Sequence, residues 1–270
     1  MTDDRRYLIG LCRAAGGALI FALPLMMTME MWWLGFAIDR WRLLLLVLLL
    51  MPVLTALSYH AGFEPTFEWR EDVMDALVAY GVGFGASLVL LFLLGVVTMD
   101  TTLSDALGKV TVQAVPASFG AMLCRTLLGG TRADEDQGPG ETYGGELFLM
   151  AAGALFLSFS IAPTDEVARI SAALPAWGII LLALVSLVQM HVFVYAVEFH
   201  GQASRPDHAT VAAEFLRLTV VGYAMVLLIS GYVLWTFGRT DGLAPLEQLH
   251  ATVVLGFPAS IGAAAARLIL

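Results

Sequence analysis

Charge is scarce in this chain. Only 14% of its 270 residues are Asp, Glu, Lys or Arg, whereas a soluble domain uses about a quarter. Lysine occurs once, at Lys109, and the net charge is −9. A nucleic-acid partner would need a basic face, which is missing. So is a polybasic segment for docking on anionic lipid. Cysteine is limited to Cys12 and Cys124. Neither has metal-ligand spacing, so both are expected to be free thiols near cytoplasmic helix ends, with no metal site. HExxH, GxSxG and glycine-rich phosphate loops are absent, so the chain does not read as an enzyme. No cofactor is called for. The single lysine lies outside the last helical segment, which excludes a retinal Schiff base there. His60 and His191 form no matched pair for haem.

Apolar surface is what the chain has instead. Apolar residues make up 59% of it, and mean hydropathy is +0.81. A hydrocarbon core of ~30 Å takes about 20 apolar residues per helix. Eight segments qualify as transmembrane candidates, at 8–36, 42–60, 74–98, 104–128, 145–163, 173–199, 214–237 and 247–270. The runs are long and do not alternate, which argues against a β-barrel. The N-terminal run is too long for a signal peptide and lacks a small-residue cleavage site, so it reads as a retained first helix. With both termini inside, the inner segments hold Arg5, Arg6, Arg13, Arg70, Arg125, Arg132, Arg205, Arg217 and Arg267. The outer ones hold Arg40, Arg42, Lys109, Arg169 and Arg239. The excess favours cytoplasmic termini.

The stretch "GGTRADEDQGPGETYGG" is the longest polar break and reads as a linker. It divides the chain into residues 1–130 and 145–270, joined by 131–144. The two parts align. Pro116, Ala117, Ser118, Gly120, Ala121, Arg125 and Leu128 match Pro258, Ala259, Ser260, Gly262, Ala263, Arg267 and Leu270 at a shift of 142. Gly17, Ala18, Leu19, Thr28 and Glu30 match Gly153, Ala154, Leu155, Thr164 and Glu166 at a shift of 136. Such self-similarity marks an internal duplication. Four crossings per copy is an even number, so the expected fold is all-α, with two parallel four-helix repeats about a pseudo-two-fold axis along the membrane normal. Segments one, four, five and eight should line that centre.

The repeat selects the candidate site residues. Glu30 and Glu166 stand in matching Thr-x-Glu motifs with Thr28 and Thr164. An acid within an apolar run is costly unless it meets a cavity or partner, although an interfacial acid beside Trp32, Trp33 and Trp41 is also consistent with the pattern. Pro116 and Pro258 interrupt helices and free the carbonyls of Val112 and Val254. With the hydroxyls of Ser118 and Ser260, such carbonyls can coordinate a dehydrated cation. The same Pro-Ala-Ser-x-Gly-Ala stretches also contain small-x-x-x-small patterns that let helices pack closely. His191, Tyr195 and Glu198 fall on one helix face as a candidate proton relay, with Thr55 and Tyr59 at the matching places of segment two. A histidine bonding helix to helix is the simpler alternative. Arg125 and Arg267 with Asp72 and Glu214 read as structural ion pairs at the inner helix ends.

"LPLMMTMEMWWLGF" (23–36) and "VPASFGAML" (115–123) resemble a family of bacterial integral membrane proteins defined as a domain of unknown function. The resemblance covers nearly the whole chain and implies a bacterial inner-membrane location; it carries no activity. The residues themselves favour a cation channel or transporter, proton-linked in one version. Its partners would be the bilayer, an inorganic cation or proton, and a second copy of the chain. The alternative is a non-transporting module that binds or senses a lipid, a quinone or a partner helix. A closed centre packed by Pro-Ala-Ser-x-Gly-Ala would favour it.

Overall fold

The computed structural model describes residues 3–61, 69–123, 143–196 and 215–269, and within them every regular element is a helix. The chain divides into two compact units, Met1–Thr131 and Arg132–Leu270. The first holds α1 (Asp3–Met26), α2 (Met29–Ala37), α3 (Arg40–Ala61), α4 (Trp69–Leu93) and α5 (Leu103–Met122). The second holds α6 (Tyr143–Ile161), α7 (Glu166–Ala173) and α8 (Ala176–Ala196). A π-helical turn (Phe215–Val220) then runs into α9 (Val221–Thr236), followed by α10 (Pro245–Ile269).

The expected first segment, 8–36, is not one helix. It breaks between α1 and α2, where Thr28 is extended at φ −100°, ψ 135°. Pro24 lies in the last turn of α1. The Thr28 hydroxyl donates to the Leu25 carbonyl at 2.8 Å, and the Trp32 indole donates to the Met26 carbonyl. These bonds satisfy carbonyls that a terminating helix leaves open. In the second unit, the Thr164 hydroxyl closes α6 in the same way on Ile161, also at 2.8 Å. At 1.5 Å per residue, the nine residues of α2 span only about 14 Å, too little to cross a bilayer. Met29, Trp33 and Phe36 on α2 and Trp41 beyond it are exposed, a composition suited to the membrane–water interface.

Among the described residues, seven helices are long and apolar enough to span a membrane: α1, α3, α4, α6, α8, α10, and α9 with its π turn. The helix counted from sequence as the fourth span, α5, is not among them. Its packing explains why. Every residue from Val112 to Met122 is buried, and α5 touches all four other helices of its unit. A helix walled off from lipid by protein can carry polar residues that lipid would not tolerate. Its counterpart α10 likewise touches α6, α7, α8 and α9. There 61% of the span is buried, against 17–39% in the other six spans. Each unit is thus a ring of helices around its last one.

Both rings close their third long helix with the same cap. Gly95 and Gly238 adopt φ of 70° and 71°, which glycine alone reaches without strain. The following amides, of Val96 and Arg239, donate back to Leu91 and Leu234. This is the Schellman arrangement.

Candidate functional site

The Pro-Ala-Ser-x-Gly-Ala stretches lie in the C-terminal halves of the central helices. Ala117, Ala121, Ala259 and Ala263 are fully buried, as are Ser118 and Ser260. A Cβ on Gly120 would collide with the Gly17 carbonyl, and one on Gly262 with the Gly153 carbonyl. Gly83 of α4 also lies close to the Ser118 amide, 2.8 Å from where its Cβ would be. The serines are turned onto the helix itself. Ser118 donates to the Ala114 carbonyl, and Ser260 donates to the Phe257 carbonyl at 2.7 Å. Pro116 is buried and Pro258 half-buried.

The glutamates lie elsewhere. Glu30 and Glu166 occupy the first turns of α2 and α7 and are exposed on the surface of their units. An acid at a helix N-terminus complements the backbone dipole there. Neither is buried in the core of its own unit beside Ser118 or Ser260. Thr28 and Thr164, half-buried, use their hydroxyls to close the preceding helices.

Two glutamines not singled out in the sequence lie beside the proline turns, Gln189 half-buried and Gln113 fully buried. Gln189 of α8 donates to the Phe257 carbonyl at 3.0 Å and to the Ser260 hydroxyl at 2.7 Å, tying α8 to the proline turn of α10. Gln113, on α5 one turn before Pro116, is 0% exposed, and neither its Oε1 nor its Nε2 has a hydrogen-bond partner. At the 142-residue shift, Gln113 corresponds to Leu255. At the 136-residue shift, Gln189 corresponds to Val53. Because these glutamines break the repeat, a search for repeated residues passes over both.

Of the candidate relay, only His191 has a described side chain, and it makes a helix-to-helix contact. His191 Nδ1 lies 3.1 Å from the hydroxyl of the fully buried Thr219 in the π turn, and its ring meets Phe215 edge-on at 4.9 Å. The side chain of Tyr195, and Glu198, lie outside the described residues. So do Arg125, Glu214 and the side chain of Arg267, leaving Asp72 alone of the four expected ion-pair residues. Among the described residues, Arg40 pairs with Asp105 at 3.9 Å and Arg239 with Asp165 at 2.9 Å. Arg239 also donates to the Pro163 carbonyl, bracing the α6–α7 corner. Lys109 donates to the Val96 carbonyl at 3.1 Å.

An open groove of about 570 Å³ runs between α3 and α4. Met51, Pro52, Ala56 and Val73 form its apolar walls; Thr55, Tyr59 and Asp72 supply its polar groups. Asp72 is buried at 6% exposure in the first turn of α4, and Tyr59 is 58% exposed. Its polar end coincides with the ends of two membrane spans, which finish at Tyr59 and begin at Trp69.

The chain matches the model of one protein family over residues 10–270 and belongs to it: the family described as "Putative integral membrane protein (DUF2391)". No curated protein and no solved structure matches the chain.

Proposed function

We propose that this member of an integral membrane protein family is a non-transporting binding module whose ligand is an amphiphile seated in the α3–α4 groove. In this reading α5 counts as a span. The chain is then two four-span copies, α1, α3, α4, α5 and α6, α8, α9, α10, in a bacterial inner membrane with cytoplasmic termini. The observation that carries the reading is the packing of each unit around its central helix. Glycine backbones meet at Gly17–Gly120 and Gly153–Gly262, and the serine hydroxyls donate to carbonyls of their own helices. Small residues brought to backbone contact make a helix-packing seam, and the α3–α4 groove is a recess open to a ligand. Such recesses, apolar with a few convergent polar groups, are typical of small-molecule sites. The test is native mass spectrometry of the purified chain. One bound amphiphile should be retained, and it should be lost when Ala56→Phe fills the groove. Unchanged retention by a folded Ala56→Phe would sink the reading.

A second reading, cation transport with proton coupling in one version, has one observation in its favour. Gln113 is buried with both amide ends unpaired, one turn from Pro116, whose missing N–H leaves the Val112 carbonyl without its helical donor. An unpaired buried amide often marks water or an ion. Glu30 and Glu166 would then attract the cation, and Thr28, Thr164, Ser118 and Ser260 would follow it. Flux of monovalent cations into proteoliposomes, abolished by Glu30→Gln with Glu166→Gln, would establish this reading in place of the first.

A further inference from the structure

We infer that the α3–α4 groove takes a membrane hydroquinone, a flat ring that carries hydroxyl donors on an apolar tail. This rests on the binding reading above and names the ligand for the same site. Tyr59 and Asp72 already have interactions of their own, so the ligand is read from the apolar walls and the backbone.

The backbone supplies an acceptor. Pro52 interrupts α3, lines the groove and is exposed. Having no N–H, it leaves the Leu48 carbonyl, one turn earlier on the same helix face, without its helical donor. The Leu48 side chain is 59% exposed, so the helix face there is open. Hydrocarbon offers such a carbonyl no partner. The Thr55 hydroxyl is already spent, donating to the Met51 carbonyl at 2.9 Å. Leu48 lies near the middle of the span Arg40–Tyr59, deeper than a phospholipid head group sits. The missing donor must therefore arrive on a molecule that is itself at home in hydrocarbon. A hydroquinone brings phenolic O–H groups, which donate. Its oxidised form, the quinone, has acceptors only.

The second unit supplies the shape. At the repeat shifts, Thr55 corresponds to His191, Ala56 to Val192 and Val73 to Phe215. Each counterpart is larger. The His191 and Phe215 rings pack edge-on at 4.9 Å. At their places the first unit has a hydroxyl-bearing and an isopropyl side chain, both lining the open recess. Pro52 corresponds to Val188, which keeps its N–H. The second unit thus holds two rings and leaves its helical ladder whole. The first lacks the rings and has a carbonyl short of a donor. A ring that carries a donor answers both differences, and the walls of Met51, Pro52, Ala56 and Val73 are of the apolar kind that encloses such ligands.

The experiment is native mass spectrometry of the full chain, titrated anaerobically and separately with decylubiquinol, decylubiquinone and dodecanol. The wild-type chain should retain the hydroquinone roughly fivefold over the quinone, the scale of one hydrogen bond, and should retain the ringless alcohol least. Pro52→Ala returns an N–H to the Leu48 carbonyl and suits a helix better than proline. It should bind hydroquinone and quinone alike. Thr55→His with Val73→Phe should retain neither. Equal retention of the two ring forms by the wild type, a hydroquinone preference that survives Pro52→Ala, or alcohol retained as well as hydroquinone would each overturn the assignment. If the double variant fails to fold, Pro52→Ala still decides. Retention of neither ring form, while Ala56→Phe still expels a co-purified amphiphile, would reject the hydroquinone and leave the binding reading standing.

Discussion

Gly153 of α6 and Gly262 of α10 touch backbone to backbone: a Cβ on either would collide with the other's carbonyl oxygen. A Cβ on Gly120 of α5 would likewise collide with the Gly17 carbonyl of α1. Without a hydrophobic driving force between helices in lipid, such contacts hold a bundle through van der Waals packing. Gly120→Ala and Gly262→Ala should each destabilise the chain, by about 1–3 kcal/mol as overpacked cores do. The thermal midpoint in detergent, followed by size-exclusion fluorescence, reads this directly. Gly81→Ala is the control. Nothing lies within 4 Å of its Cβ position, so that variant should be neutral or slightly stabilised through helix propensity. A midpoint for Gly262→Ala equal to that of Gly81→Ala would show that the close contact is not what holds α6 to α10.

The two glutamines, Gln113 buried and Gln189 half-buried, should respond with opposite signs. Gln189→Leu removes donors from the Phe257 carbonyl and the Ser260 hydroxyl, at a cost of about 1 kcal/mol. Gln113→Leu removes two unpaired polar ends from a fully buried site and places there the residue that α10 carries at Leu255. It should raise the thermal midpoint, because burying an unsatisfied amide costs about 1–3 kcal/mol. A drop in midpoint would mean that Gln113 is satisfied by bound water or an ion. Joined to a loss of cation flux, that drop would favour the transport reading.

The fold was legible in the sequence where a residue's role depends on composition or recurrence. Long apolar runs located the spans, and the two Pro-Ala-Ser-x-Gly-Ala copies located the two central helices. What the sequence hid depends on neighbours. The break at Thr28 is set by a hydroxyl and an indole bonding backwards onto α1, inside a run whose composition is uniformly apolar. The polarity of α5 reads as a marginal span because hydropathy does not record that four helices surround it. Glu30 and Glu166 drew attention because they recur, and recurrence suits a short interfacial helix as well as a pathway. Gln113, Gln189 and Thr219 were passed over for the converse reason: none has a polar partner in the other copy.

Arg239 braces the α6–α7 corner by two unequal bonds. Its contact with Asp165 is a 2.9 Å ion pair, but the Asp165 side chain is 60% exposed. Pairs this wet contribute about 0–1 kcal/mol. The second bond, to the Pro163 carbonyl, satisfies a backbone acceptor just beyond the end of α6. Asp165→Asn should therefore leave the thermal midpoint nearly unchanged, while Arg239→Met should lower it clearly. Raising salt to 1 M should not reproduce the loss seen with Arg239→Met. If salt and Asp165→Asn each match it, the ion pair and not the carbonyl bond secures the corner.

Orientation can be read at Met99, which is 90% exposed in the connection between α4 and α5. The asymmetry of basic residues, nine against five across the expected topology, puts this connection outside when the termini are inside. In a background with Cys12→Ser and Cys124→Ser, Met99→Cys supplies a single thiol on that connection. A membrane-impermeant maleimide should label it in intact spheroplasts without permeabilisation. Arg70→Cys, at the opposite end of α4 and also exposed, should be labelled only after the membrane is opened. The reversed pattern would invert the topology. The polar end of the α3–α4 groove, which lies beside Arg70, would then face the outer leaflet, and the proposed amphiphile would enter from there.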